Sequence, residues 1–464
     1  MRTEKDSLGV KTLDDNVYYG IQTQRAIENF PVSGIQAHPA FIHAYLMVKK
    51  AAAIVNMDVG SLDKEKGKAI IQAADEGLTG KYDDQFLVDV FQAGAGTSFN
   101  MNVNEVLANR ALEILGGKKG DYTFLSPNDH VNMSQSSNDT FPTATHIAVV
   151  LVLDELIPIL EQLSQAFSKK GLEFCTIAKS GRTHLMDAMP VTLGDEFNAY
   201  SSSIRRATRR IQQRRNDLLE LPIGGTATGT GVNTHPEFRS RIVNNLSKLT
   251  SKKFIPCSDT FEALQSRSQL VALSGSLKEL AIELIRISND LRLLNSGPTT
   301  GLGEIELPPM QPGSSIMPGK VNPVMAECMN MICFHIIGSD TTVTLAGQAG
   351  QMELNVMTPV ITYNILTSLT RLIHYIPNFV ENCITGIKSN EETCKANIDM
   401  NPSLATLLSP KIGYLKAADL AKESLEKKQS VKKLSIEKGY LTEKEANILF
   451  DMKKFMQCKN KGGV

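Results

Sequence analysis

The placement of proline is the feature that most constrains what this chain can fold into. Long proline-free runs lie between Pro158 and Pro190, Pro190 and Pro222, Pro256 and Pro298, and Pro323 and Pro359. Proline breaks helix interiors, so each run has room for a helix well above average length. In the third run Leu270, Leu273, Leu277, Leu280, Leu284, Ile287, Leu291 and Leu294 follow alternating steps of three and four. That is a heptad seam, which packs one helix lengthwise against another at a shallow angle. About 25 residues of such a helix span roughly 37 Å. Ala263, Ala281 and Ile285 widen the apolar face, which favours a multi-helix bundle over a two-stranded coiled coil. The stretch from Ile147 to Leu163 is apolar on most sides and is expected in the middle of that bundle.

At 464 residues the chain exceeds what one core usually fills. The expected architecture is mainly α. A mixed, glycine-punctuated N-terminal domain spans residues 1–138, and a central long-helix bundle spans 139–393. A small Lys/Glu-rich helical domain spans 394–464. A hydrophobic fraction of 42% argues against disorder. The 49 basic and 49 acidic residues cancel, so no global field would draw the chain to nucleic acid or an anionic membrane. Met1-Arg2-Thr3-Glu4-Lys5-Asp6 contains acids and no apolar run, and the greasiest stretch, Ile147 to Leu153, is too short to cross a bilayer. A soluble, cytoplasmic protein is expected. The seven cysteines are scattered without a Cys-x-x-Cys pair, which suits free thiols in a reducing compartment. The eight histidines form no cluster with metal-ligand spacing, so no protein-built metal site is expected.

Three polar stretches are not explained by a bundle. The first is Gly94-Ala95-Gly96-Thr97-Ser98-Phe99-Asn100-Met101-Asn102, followed by Ser134-Gln135-Ser136-Ser137-Asn138-Asp139. The second is Gly181-Arg182-Thr183-His184. The third runs from Gly313-Ser314-Ser315 through Gly319-Lys320-Val321-Asn322-Pro323. Each offers hydrogen-bond donors where glycine lets the backbone approach a ligand. Any one of them alone reads more naturally as a helix N-cap. Three in one chain, carrying a histidine and a lysine, point to a site for a small carboxylate. Gly313 to Lys320 is one residue too long for a P-loop and has Val321 where Ser or Thr is required. The glycine-rich Gly224–Gly231 segment lacks both the Rossmann spacing and a preceding buried strand, so neither segment reads as a nucleotide site.

Together these stretches resemble the aspartase/fumarase superfamily, whose signature loop is similar to Gly313-Ser-Ser-Ile-Met-Pro-Gly-Lys-Val-Asn-Pro323. The resemblance extends from Glu4-Lys5-Asp6 and Tyr18-Tyr19-Gly20 to the C-terminal region, nearly the whole chain. It implies a homotetramer around a long-helix bundle, with each active site built by three subunits, and a small dicarboxylate as substrate. Matched to the family's motifs, Ser314 is the general base on a flexible loop. Thr97, Ser98, Ser136, Ser137, Asn138, Thr183, Lys320 and Asn322 bind substrate, and His184 contacts it with Glu327 as its carboxylate partner. No cofactor is implied, although the family includes members activated by a divalent cation.

The chemistry fits these residue types. Taking a proton from the carbon beside a carboxylate creates a doubly charged aci-carboxylate, which needs donors and a cation already aimed at it. Lys320 and the amides supply them. A serine is a weak base unless a desolvated, electropositive pocket stabilises its alkoxide. Arg25-Ala26-Ile27-Glu28-Asn29-Phe30, His130-Val131-Asn132 and Leu354-Asn355-Val356-Met357 look like the ammonia-eliminating branch, which acts on L-aspartate to give fumarate. Ser137, Gly224-Gly225-Thr226 and Asn233-Thr234-His235-Pro236 look like the hydratase branch, which interconverts L-malate and fumarate. The first is the preferred reading and the second its alternative. An inert structural scaffold is a remote third, opposed by the joint presence of Ser314, His184, Lys320 and Glu327. Thr299 and Met186 depart from the family, which usually has Arg and Gln there.

Overall fold

The computed structural model describes residues 1–455 as a mainly α chain with short two-stranded sheets. It divides into two compact units, each drawn from distant parts of the sequence. Met1–Ile157, Arg209–Glu279 and Phe334–Ile373 form the first; Pro158–Thr208, Leu280–Cys333 and the chain from His374 onward form the second.

A hairpin of β1 (Arg2–Asp6) and β2 (Gly9–Leu13) precedes α1 (Ile21–Asn29), α2 (Pro39–Asp58), α3 (Lys64–Leu78), α4 (Thr97–Ile114) and α5 (Ser137–Glu173). A second antiparallel hairpin, β3 (Ala178–Thr183) and β4 (Met186–Thr192), leads into α6 (Leu193–Asp217). Then come α7 (Phe238–Thr250), the short α8 (Thr260–Gln265), α9 (Ser268–Leu294), α10 (Val324–Gln348) and α11 (Thr358–Phe379). Shorter helices follow, and there Leu404, Leu408, Leu420, Val431, Leu434 and Leu441 share a hydrophobic cluster.

Three of the four proline-free runs each hold one long helix, namely α6, α9 and α10. The first run behaves differently, because α5 continues through both Pro142 and Pro158. A proline removes one rung of the hydrogen-bond ladder, and a helix packed on most sides can absorb that loss. Residues 139–153 of α5 are buried almost without interruption. An 18-residue window of this helix is long and apolar enough to cross a membrane, but 72% of that window is buried in the protein, as in a core helix. All eight residues of the α9 seam are buried within the chain. The seam is therefore satisfied internally rather than left open for a partner, and the large apolar side chains that α9 and α10 do expose are Ile282, Leu293, Met331, Phe334 and Leu345. Cys257, Cys328, Cys333, Cys383 and Cys394 are free thiols; Cys175 departs from the expectation, being disulfide-bonded.

In the second unit, β3 is anchored by a buried ion cluster. Glu304, fully buried, receives two hydrogen bonds from the Arg182 guanidinium at 3.0 and 2.7 Å and pairs with Lys179 at 2.9 Å. Lys179 also pairs with Glu196 at 2.6 Å. Burial pushes the Glu304 carboxyl up, but Arg182 and Lys179 more than offset it and leave it lowered. Removing the shared carboxylate leaves the Arg182 guanidinium without its buried partner and Lys179 with Glu196 alone, so Glu304→Ala should destabilise the protein by about 3–5 kcal/mol. A smaller loss for Glu304→Gln is expected, since it keeps the shape and two polar contacts. Comparing denaturation midpoints of the two variants checks this.

Candidate active site

The first unit brings together the N-terminal turns of α4 and α5. Before α4 the chain doubles back through Ala95 and Gly96, both in the left-handed region at φ 57° and 68°. The turn is pinned by Ala95, whose N–H donates to the Val356 carbonyl at 2.7 Å. This sharp entry puts Thr97 and Ser98 in the first turn of α4, where no acidic residue competes for the free N–H groups. Ser137 and Asn138 occupy the first turn of α5, with Ser136 just before it. The Thr97 and Ser137 hydroxyls lie 3.1 Å apart, so two helix N-termini converge. Unsatisfied N–H groups and the positive ends of two helix dipoles make such a junction suited to a carboxylate.

A polar layer lies beneath it. Lys49 of α2 is fully buried and donates to the amide oxygens of Asn100 and Asn132 at 2.8 and 3.0 Å. Burial pushes its ammonium down to about 7, against the pull of nearby Asp139. Asp139 is likewise buried, and desolvation raises its carboxyl to about 6 although backbone N–H groups and Lys49 oppose the shift. Asn100 and Asp139 lie in the polar stretches read above and Asn132 in a family motif, but none was given a site role, and Lys49 was not singled out from the sequence. The available signal for Lys49 was the Lys49-Lys50 pair inside an otherwise apolar run, Tyr45 to Val55.

The second unit carries the other candidates. Thr183 and Met186 pair across the β3–β4 hairpin, leaving His184 and Leu185 as a two-residue tip. Both are left-handed, at φ 56° and 60°, where Asn-Gly is the usual pair. Each costs about 1–2 kcal/mol of backbone strain, and the turn holds His184 and Leu185 out to solvent. The stretch Gly313–Pro323 forms an extended loop ahead of α10. Within it Lys320 Nζ donates to Asn322 Oδ1 at 3.0 Å, and Asn322 Nδ2 donates to the Gly313 carbonyl at 2.8 Å. Ser314 is half-buried and Lys320 exposed. Glu327 lies in the first turn of α10. The expected His184–Glu327 pairing is not made within one chain: His184 has no hydrogen-bond partner among the described residues. Met186 is exposed beside the hairpin tip, and Thr299 lies in an exposed turn after Pro298.

Gly96 is a tight point where the two helix starts meet. A Cβ added there would overlap the Phe141 ring of α5. Gly96→Ala should therefore cost about 1–3 kcal/mol from overpacking in addition to left-handed strain. A melting temperature equal to that of the unaltered protein would show that the two helix starts are not in contact.

A family model described as "Lyase" matches residues 10–338, and one described as "Fumarase C C-terminus" matches residues 404–457. The chain is 49% identical to an aspartate ammonia-lyase of Bacillus subtilis, covering 97% of this chain and 95% of that one. It is 47% identical to a class II fumarate hydratase of Thermosynechococcus vestitus, covering 96% and 95%. Among solved structures, a fumarate lyase:delta crystallin from Brucella melitensis, bound to cobalt, superposes with a TM-score of 0.95 at 45% identity, covering 98% and 99%.

Proposed function

The chain belongs to the lyase family that includes aspartate ammonia-lyases and class II fumarases, and we propose that it eliminates ammonia from L-aspartate to give fumarate. The observation that carries the mechanism is the setting of Ser314. Its Oγ accepts hydrogen bonds from the backbone N–H groups of Ile316 and Met317 at 3.2 and 2.9 Å. Donors aimed at an oxygen favour its charged form, so this loop is built to lower the cost of a serine alkoxide. Ser314 takes the proton from C3 of the substrate. Lys320, on the same loop, supplies the cation for the aci-carboxylate that forms. The α4 and α5 turns, through Thr97, Ser98, Ser136, Ser137 and Asn138, hold a substrate carboxylate; Thr183, His184 and Asn322 complete the set. Ammonia then leaves from C2 as the carbon–carbon double bond forms.

The working form is a cytoplasmic homotetramer in which different subunits contribute these groups. Two observations support it: the exposed apolar residues of α9 and α10, and the solvent-facing His184, which makes no hydrogen bond to Glu327 within its own chain. Sedimentation should give a tetramer, and a mixture of Ser314→Ala and His184→Asn proteins, unfolded and reassembled together, should regain partial activity. A monomer, or no complementation, would sink the shared site.

Ser314→Ala should lower kcat by about 10³ or more while a dicarboxylate inhibitor still binds nearly as well. Lys320→Ala should weaken both, because its charge attracts the ground-state carboxylate and, more strongly, the aci-carboxylate. A Ser314→Ala variant that keeps a tenth of normal turnover would move the base to His184. Fumarate appearance followed by ultraviolet absorbance, with L-aspartate and L-malate supplied separately, distinguishes ammonia elimination from hydration and from an inert scaffold. Turnover should survive exhaustive chelation, with stimulation by magnesium compatible with the reading. Loss restored only by a transition metal would overturn it.

A further inference from the structure

The glycine-rich segment Gly224–Gly231 has no part in the chemistry above, yet it is tied directly to the turn that starts α5. The Asp139 carboxylate makes the tie. One oxygen accepts the Ser136 N–H at 3.0 Å; the other accepts the N–H groups of Gly224 and Thr226 at 3.0 and 2.9 Å. A parallel strut runs from Asn138 Nδ2 to the Ala227 carbonyl at 2.7 Å. Thr226 is a β-branched residue held in the left-handed region at φ 54°, a conformation that persists only where the surroundings impose it. Asp139 is fully buried and forms no salt bridge among the described residues; its hydrogen-bond partners are backbone donors.

We propose that Asp139 is a positioning residue that clasps the Gly224–Thr226 backbone to the Ser136–Asn138 turn, and that it does so only when ionised. This deepens the functional reading above and rests on the assignment of Ser136, Ser137 and Asn138 as ligands of a substrate carboxylate. The requirement for charge follows from the donors. Both oxygens already face N–H groups, so a proton on either one sets a donor against a donor. The titratable and charged groups facing Asp139 are Lys49 and Tyr45, both on α2. Burial places the Asp139 carboxyl near 6 rather than near its ordinary value. The clasp is therefore closed at neutral pH and opens as pH falls through that region. Its opening loosens substrate binding, because the turn it holds contacts the ground state and the transition state alike.

Asp139→Asn keeps the shape but must turn its amide N–H₂ against at least one backbone donor. Amide hydrogen exchange of the peptide containing residues 222–228, compared at one pH, should be faster in the variant. KM for L-aspartate should rise about tenfold, the equivalent of one lost hydrogen bond to a charged group, while kcat moves far less. Adding Thr226→Gly, which removes the left-handed strain, should recover part of that KM. Unchanged exchange, unchanged KM, or no recovery from Thr226→Gly would each overturn the clasp. Should Asp139→Asn fail to fold, the unaltered protein carries the test: its KM should climb as pH drops below about 6, where L-aspartate keeps both carboxylates ionised. A flat KM there rejects the proposal. The exchange arm needs no substrate, so a chain that turns over neither L-aspartate nor L-malate would sink the functional reading and leave the clasp to be judged on exchange alone.

Discussion

Four aromatic rings fix the geometry of the first unit. Phe41 and Tyr45 of α2, Phe99 of α4 and Phe141 of α5 meet with centroids 4.7 to 5.5 Å apart along the contacts that link them. Aromatic pairs at such distances add about 0.5–1.5 kcal/mol each beyond the area they bury. Phe99 and Phe141 sit in the opening turns of their helices, so the cluster sets where each helix starts as well as how the helices pack. Thr97 and Ser137 lie only a few residues from those rings, and their 3.1 Å approach follows from that packing. The absence of a side chain at Gly96 lets the Phe141 ring reach this position.

Charge is buried in two different ways in the two units. Around Glu304 a carboxylate is surrounded by cations, and the cluster ties β3 to the segment that leads toward the signature loop. Around Asp139 the carboxylate is satisfied by backbone N–H groups, with Lys49 nearby but held by asparagine amides. The first arrangement is largely insensitive to pH near neutrality, because paired cations keep the carboxyl lowered. The second leaves the carboxyl raised toward the physiological range, since backbone dipoles compensate burial less completely than full charges do.

The groups proposed to do chemistry are the least buried ones. Ser314, Lys320 and His184 sit on a loop and a strained hairpin tip, whereas the buried residues beneath the α4 and α5 starts are locked by hydrogen bonds. That contrast suits an elimination in which one carboxylate site is preorganised and the base is carried on an exposed loop. His184 makes no hydrogen bond among the described residues, so its strained turn presents the imidazole to solvent.

Much of this was legible in one dimension. The leucine spacing from Leu270 to Leu294 specified α9, and the proline-free runs located α6 and α10. The donor-rich stretches marked Thr97, Ser136–Asn138, His184 and Ser314–Asn322, because three such stretches in one chain exceed what helix capping alone requires. The continuity of α5 was not legible, since Pro142 and Pro158 argue locally for an end and only burial on most sides overrides them. Nor could the sequence show that the α9 seam is consumed inside the chain. Nothing in the sequence marked Lys49 or Asp139 as buried, because burial is a property of surroundings. By itself the sequence determined the helices, the chemistry-bearing residue types and the family, all of which depend on local periodicity and motif. Only the tertiary structure decided which of those groups are buried, which backbone donors from residues 224–226 meet Asp139, and that His184 points to solvent, because each depends on segments far apart in the chain packing together.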